Sequence, residues 1–282
     1  MAQNTLPELI ARIGYAARGV VYLVVGSFAV LAAMGSGGRA TDGKGALHAI
    51  LAAPFGKVLL GIVALGLLGF AVWRVLQAAF DADRLGREPK ALLRRIIYAG
   101  SAAVHVGLAY SATRLILGLG ESRNDNRAAQ DWTAMLLAEP FGRWLVAGVG
   151  AAVAAGGVAM AVRGWGGDVE RRLSLDSQTR NWVVPFGRFG LMARGAVFVL
   201  AGWFLMSAAL HADAGEARGL GGALRSLQQQ PYGWALLGIT ALGLFAFGAF
   251  QLASAVYRRI DAELPSGPAV SFGKTSSAAS GR

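Results

Sequence analysis

Long apolar runs separated by short polar stretches set the pattern of this chain. The runs fall at about 14–34, 55–80, 92–117, 141–162, 188–210 and 232–256. Each is about 20 residues or longer, enough at 1.5 Å per residue to cross a hydrocarbon core of roughly 30 Å. In lipid the backbone can satisfy its hydrogen bonds only in helices or closed barrels. These runs are too long and too uniformly apolar for barrel strands, so the pattern predicts six transmembrane helices.

The runs form three copies of one unit. The stretch from Arg12 through Gly14, Arg18 and Gly19 to Tyr22 recurs from Arg188 through Gly190, Arg194 and Gly195 to Phe198. A weaker copy runs from Arg95 through Tyr98, Ser101 and Ala102 to His105. Each is followed by a second shared signal, at Pro54–Phe55–Gly56, Pro140–Phe141–Gly142 and Pro231–Tyr232–Gly233. A regular period of this kind marks a repeat architecture. The expected fold class is therefore all-α: a polytopic membrane bundle of three helical hairpins with quasi-threefold symmetry. The expected division is an N-terminal segment 1–11, repeat one at 12–83, repeat two at 92–165, a linker at 166–187, repeat three at 188–261 and a disordered tail at 262–282. The recurrence of the first span at 188–210 argues that the first span is retained rather than cleaved as a signal peptide.

Between the two spans of each repeat lies a short amphipathic piece, at Ala46–Leu51, Trp132–Leu137 and Ala223–Gln228. Ile50, Leu136 and Leu227 align across the copies. These pieces predict short helices lying at the membrane surface. Pro54, Pro140 and Pro231 fit the first position of the following helix, where a missing N–H costs little.

Composition sharpens this picture. The chain is 55% hydrophobic and 15% charged, well short of the quarter or so of charged residues usual in soluble domains. It has no cysteine, which excludes disulfides and thiolate metal sites, and no cofactor is expected. The net charge of +11 sits in loops beside the spans, so it reads as topology and contact with anionic lipid rather than as a nucleic-acid surface. One side, with Arg12, Arg95, Arg163, Arg188 and Arg258, holds about twice the basic residues of the other. The positive-inside rule then puts both termini in the cytoplasm of a bacterial cell, with the spans in its inner membrane. Tyr15, Tyr98, Trp165, Trp182 and Tyr257 form the expected inner aromatic belt, and Trp132, Trp144, Tyr232 and Trp234 the outer one.

The motif from Gly14 to Gly19, with Arg18 inside it, and the later Pro54–Phe55–Gly56 resemble the repeat of the DUF1206 family. That resemblance covers about residues 10–260 and implies a bacterial membrane protein of three two-helix repeats. It implies no activity and carries over no catalytic residue. Copy two departs from it, with Ser101 in place of the arginine and Ala102 in place of the glycine.

Candidate chemistry is sparse. No span has Asp or Glu at its middle, which weighs against cation coupling. Arg18 and Arg194 lie one to two turns inside the basic edge at equivalent positions. The first expectation is snorkelling to lipid phosphates. The functional alternative is that both face the bundle and contact an anionic lipid or solute, and a third reading has them bonding free carbonyls. Arg74 and Arg114 are expected as interface anchors. His105 and Ser101 are candidate intramembrane polar contacts, with a neutral His105 bonding across helices. His48 and His211 are expected in solvent. Small residues four apart at Gly148, Ala152 and Gly156 form a face suited to close helix packing inside the bundle. No zincin pair, P-loop or nucleophile elbow is present, so no enzyme is expected. The leading reading is a scaffold or membrane-organising module that binds membrane lipid, with a channel or carrier along the pseudo-threefold axis as the rival. Protein partners stay open, as does a homo-oligomer.

Overall fold

The computed structural model describes residues 6–35, 40–80, 86, 88–119, 125–166, 169–170 and 173–258. The expected tail at 262–282 lies outside the described residues. Among the described residues the chain is helical, with one isolated antiparallel bridge between Leu173 and Arg258 and no strand. Six long helices carry the repeats: α1 (Leu6–Ala33), α3 (Gly56–Ala79), α4 (Pro89–Ile116), α6 (Gly142–Gly166), α7 (Ser177–His211) and α9 (Gly233–Tyr257). One short α-helix lies between the members of each pair: α2 (Gly43–Ala52), α5 (Asp125–Leu137) and α8 (Leu220–Gln228). Five of the long helices are long and apolar enough to cross a membrane. The exception is α4, diluted along its middle by Ser101, His105, Tyr110, Ser111 and Thr113. The molecule is a multi-pass membrane protein built from an internal repeat.

The long helices pack one against the next in the order α4, α3, α1, α9, α7, α6, an open ring whose two end helices, α4 and α6, are not packed on each other. Neighbours from different repeats pack most extensively, α6 on α7 and α1 on α9. These seams depend on glycine. A Cβ on Gly157 would stand 2.6 Å from the Gly195 carbonyl oxygen, and one on Gly202 2.6 Å from that of Gly150. Backbones that close can be joined only by residues without side chains. The expected small face at Gly148 and Gly156 is not the one used. A Cβ on either would meet nothing within 4 Å, because α6 turns Gly150, Gly157 and Gly164 toward α7 instead.

The arginine that opens each copy of the first shared motif ties the ring together. Arg12 donates to the carbonyls of Ala255 (2.8 Å) and Val256 (2.5 Å) at the end of α9. Arg95 donates to Ala78 (2.6 Å) and Ala79 (2.8 Å) at the end of α3, and Arg188 to Gly164 (3.1 Å) and Trp165 (2.7 Å) at the end of α6. The last carbonyls of a helix have no partner within it, so each cation satisfies groups the helix leaves orphaned and complements the negative end of its dipole. Each repeat thus caps the second long helix of the repeat before it, and repeat one caps repeat three.

Local chemistry also explains the second shared signal. Phe55, Phe141 and Tyr232 are left-handed, at φ 57°, 62° and 58°, and each precedes the first residue of its helix. The prolines therefore sit two positions ahead of the first helical residue, before the cap and outside the first helical position expected for them. The following glycine is required by space. A Cβ on Gly56, Gly142 or Gly233 would lie 2.0–2.1 Å from a carbonyl oxygen of the preceding short helix.

Two expectations change further. α7 starts at Ser177, inside the segment expected to be a linker, because Asp176 accepts a hydrogen bond from the Thr179 N–H and caps it. Hydrogen bonds from the Thr179 hydroxyl, and then from its N–H, hold the Asp176 carboxyl below its ordinary range. The short helices do more than lie on a surface. Leu47 of α2 and Leu224 of α8 are fully buried in one apolar cluster with Val25, Leu60, Leu67, Leu237 and Leu244. The end of the ring opposite the capping arginines is filled with hydrocarbon.

Candidate functional site

Repeat positions that match in sequence converge inside the ring. Arg18 of α1 and Arg194 of α7 both turn inward, not out to lipid as the snorkelling expectation had it. Arg18 is 5% exposed and Arg194 is half-buried. Their guanidinium carbons share two rings: Arg18 lies 5.7 Å from the centre of Tyr22 and 5.3 Å from Phe247, Arg194 5.5 Å and 5.0 Å from the same two. Arg18 also faces Phe70 at 5.2 Å and Arg194 faces Phe198 at 4.8 Å.

The helices present these groups because of a lock repeated in copies one and three. A Cβ on Gly14 would stand 2.6 Å from Phe70 Cβ, and one on Gly190 2.5 Å from Phe247 Cα. The aromatic residue of the second helix sits on the glycine of the first. Its ring then lies beside the arginine one turn further along. Tyr15 and Tyr22 support the two rings edge-on at 5.3 and 4.9 Å.

Sequence reasoning missed Arg74 as part of this group. It was expected to be an anchor at the membrane edge. Its guanidinium instead lies 4.8 Å from the rings of both Phe70 and Tyr98 and donates to Gln77 (3.0 Å). The signal that could have found it is the repeat itself: Arg74 follows Phe70 by four residues as Gln251 follows Phe247.

His105 stacks on Phe70 with centroids 4.6 Å apart. Its Nδ1 donates to the Ser101 carbonyl at 2.6 Å, within its own helix, rather than across helices as expected. Ser101, at the third arginine position, is half-buried. His48 is also half-buried, while His211 is exposed, as expected of a residue in solvent.

The electrostatic balance of the group is one-sided. Burying an ion costs several kcal/mol, and each cation–ring contact returns about 0.5–2 kcal/mol. Three rings per guanidinium offset much of the burial but not the repulsion between two like charges. Among the described residues no carboxylate pairs with Arg18 or Arg194. The Nε atoms of both are buried without a hydrogen-bond partner, and so is Gln251 Nε2, one turn from Phe247. These orphaned atoms are all donors, and buried donors are ordinarily satisfied. A set of convergent donors with excess positive charge can hold an oxyanion, to which arginine binds in bidentate fashion.

A second polar cluster joins the last turns of α7 to the loop that follows it. The Ser207 hydroxyl and the Glu216 carboxylate are hydrogen-bonded, and His211 Nδ1 is 3.0 Å from the same carboxylate. The Ser207 bond, then His211, holds the Glu216 carboxyl below its ordinary range. A nucleophile relay needs acid and serine on opposite nitrogens of the histidine. Here both approach Nδ1, so the geometry is that of a loop clasp.

The comparisons agree with the repeat. The family described as Domain of Unknown Function (DUF1206) matches at residues 13–81, 96–167 and 189–258. The chain is 34% identical over 263 residues to "Uncharacterized protein YxxB" of Bacillus subtilis (strain 168), covering 92% of this chain and 94% of that protein. No solved structure matches.

Proposed function

The chain belongs to the DUF1206 family, and we propose that it is a non-enzymatic membrane module that binds an anionic, phosphate-bearing group between Arg18 and Arg194. The observation that carries this reading is the pair of inward arginines sharing Tyr22 and Phe247, with orphaned Nε donors and no paired carboxylate among the described residues. All six long helices cross the membrane in this reading, α4 with them. The excess of basic residues at the end holding Arg12, Arg95 and Arg188 puts that end, and both termini, in the cytoplasm. In a bacterial cell the membrane is then the inner one. A path along the axis is the less favoured reading, since it would have to pass the layer of Val25, Leu67, Leu244, Leu47 and Leu224.

The test is thermal unfolding of the protein in neutral detergent, titrated with inorganic phosphate or with phosphatidylglycerol. A ligand at a hundred times its dissociation constant stabilises by about 2.7 kcal/mol. The wild type gains a higher midpoint with at least one of the two, and Arg18→Gln/Arg194→Gln gains none. An equal rise in the double variant would overturn the reading.

A further inference from the structure

The ring is not closed. A regular threefold arrangement would pack each hairpin's two long helices together, as α1 packs on α3 and α7 on α9. Its counterpart in repeat two, α4 on α6, makes no substantial contact. The reason is in the lock. Where copies one and three have Gly14 with Phe70 and Gly190 with Phe247, copy two has Ile97 with Gly156. The notch is filled and the knob is gone. A Cβ on Gly156 would meet nothing within 4 Å.

The bared seam shows in equivalent residues. Val21, Val104 and Val197 occupy one repeat position and are 4%, 61% and 0% exposed. On the facing helix, Val63 is buried while its counterpart Val149 is exposed. The opening lies at the level of the arginines, because Gly156 stands where Phe70 and Phe247 stand, and those two rings stack against Arg18 and Arg194. On the two helices that copy two leaves apart, Val104 and Val149 are exposed and Val153 is half-buried.

We propose that this seam is a lateral portal through which an anionic phospholipid enters from the bilayer, its phosphate between Arg18 and Arg194 and an acyl chain along α4 and α6. This rests on the anion reading above and names the ligand. Two independent features select an amphiphile over a free ion. The polar end of the site gathers the orphaned Nε donors of Arg18 and Arg194 around the Tyr22 hydroxyl, which is hydrogen-bonded to both guanidinium groups, and Arg18 is only 5% exposed. The side where α4 and α6 fail to pack presents exposed valines, Val104 and Val149, whereas the opposite end of the bundle is packed with Leu47 and Leu224 in the buried core. The departure of repeat two from its sister copies then has a use: it omits the third arginine and the third aromatic at the place where the ligand enters.

The experiment is native mass spectrometry of protein reconstituted into vesicles of phosphatidylcholine and phosphatidylglycerol and then extracted in mild detergent. The wild type is compared with Gly156→Phe, which restores the missing ring, with Val104→Phe, which fills the seam from the exposed side of α4, and with Arg18→Gln/Arg194→Gln. The wild type retains phosphatidylglycerol, and each variant retains at least about tenfold less, the lower bound for losing charge-assisted contacts or access to them. If Gly156→Phe does not fold, Val104→Phe carries the seam test alone. Retention undiminished in the seam variants but lost in the arginine variant would overturn the portal and leave the anion reading standing. Failure of the wild type to retain the lipid, with inorganic phosphate still raising its unfolding midpoint but not that of the arginine variant, would also overturn the portal and assign the site to a free anion. Equal retention in wild type and arginine variant, or no effect of lipid or phosphate on either, would overturn both.

Discussion

Two arginines at one repeat position carry the account. Arg18 and Arg194 are held in place by packing, since Gly14 and Gly190 admit Phe70 and Phe247 at distances no other residue would allow. The rings then wall the guanidinium groups. Unless an anion stands between them, two like charges gathered on the same rings repel, a costly arrangement. Removing one of two close like charges relieves their repulsion and the cost of desolvating the ion, which is several kcal/mol for a fully buried one. Arg194→Met therefore raises the unfolding midpoint in anion-free neutral detergent and abolishes the gain that phosphatidylglycerol or phosphate gives the wild type. Thermal unfolding of the two proteins side by side reads both effects. A lower midpoint in anion-free detergent would mean that the arginine is structural. The inward orientation was not legible in the sequence. In a soluble helix the apolar face points in, but in lipid both faces are apolar, so periodicity cannot tell the axis from the bilayer.

At the scale of helices, the seams follow glycine spacing, and here the sequence misled in an instructive way. Gly148, Ala152 and Gly156 read as a packing face at four-residue spacing, yet the contact to α7 uses Gly150, Gly157 and Gly164 at seven-residue spacing. Both sets are small, and only the partner helix decides between them. Overpacking a tight seam costs roughly 1–3 kcal/mol, whereas replacing an unconstrained helical glycine by alanine gains about 0.5–1 kcal/mol. Gly157→Ala thus lowers the unfolding midpoint and Gly148→Ala leaves it unchanged or raises it. A reversed order in the melting curves would reject the seam as drawn. The capping arginines were visible as basic residues and were assigned to topology. Their bonds to helix ends in another repeat became apparent only once the ring order was known.

For the whole molecule, the repeat, the helical class and the short helices between spans were all readable, because period and run length are local properties of the chain. The broken threefold was half readable. Ser101 and Ala102 mark copy two as divergent, but the exchange of Ile97 and Gly156 for the glycine–aromatic lock matters only because those positions meet in the other copies. The filled end argues against conduction. Protein reconstituted in liposomes is expected to give no chloride or phosphate flux above that of empty liposomes. A flux abolished by Arg18→Gln/Arg194→Gln would replace binding by transport as the role of the site.

The most direct measurement is nitrogen-15 spectroscopy of the arginine Nε–H groups in phosphatidylcholine nanodiscs, with and without phosphatidylglycerol, the Arg18 and Arg194 resonances assigned by their loss in single lysine variants. Buried N–H groups without a partner must report directly on an acceptor that arrives beside them. The account predicts that both resonances move together as the anionic lipid is added, with one shared dependence on its fraction. Resonances that stay fixed with phosphatidylglycerol and with inorganic phosphate alike, while exposed arginines respond, would contradict it.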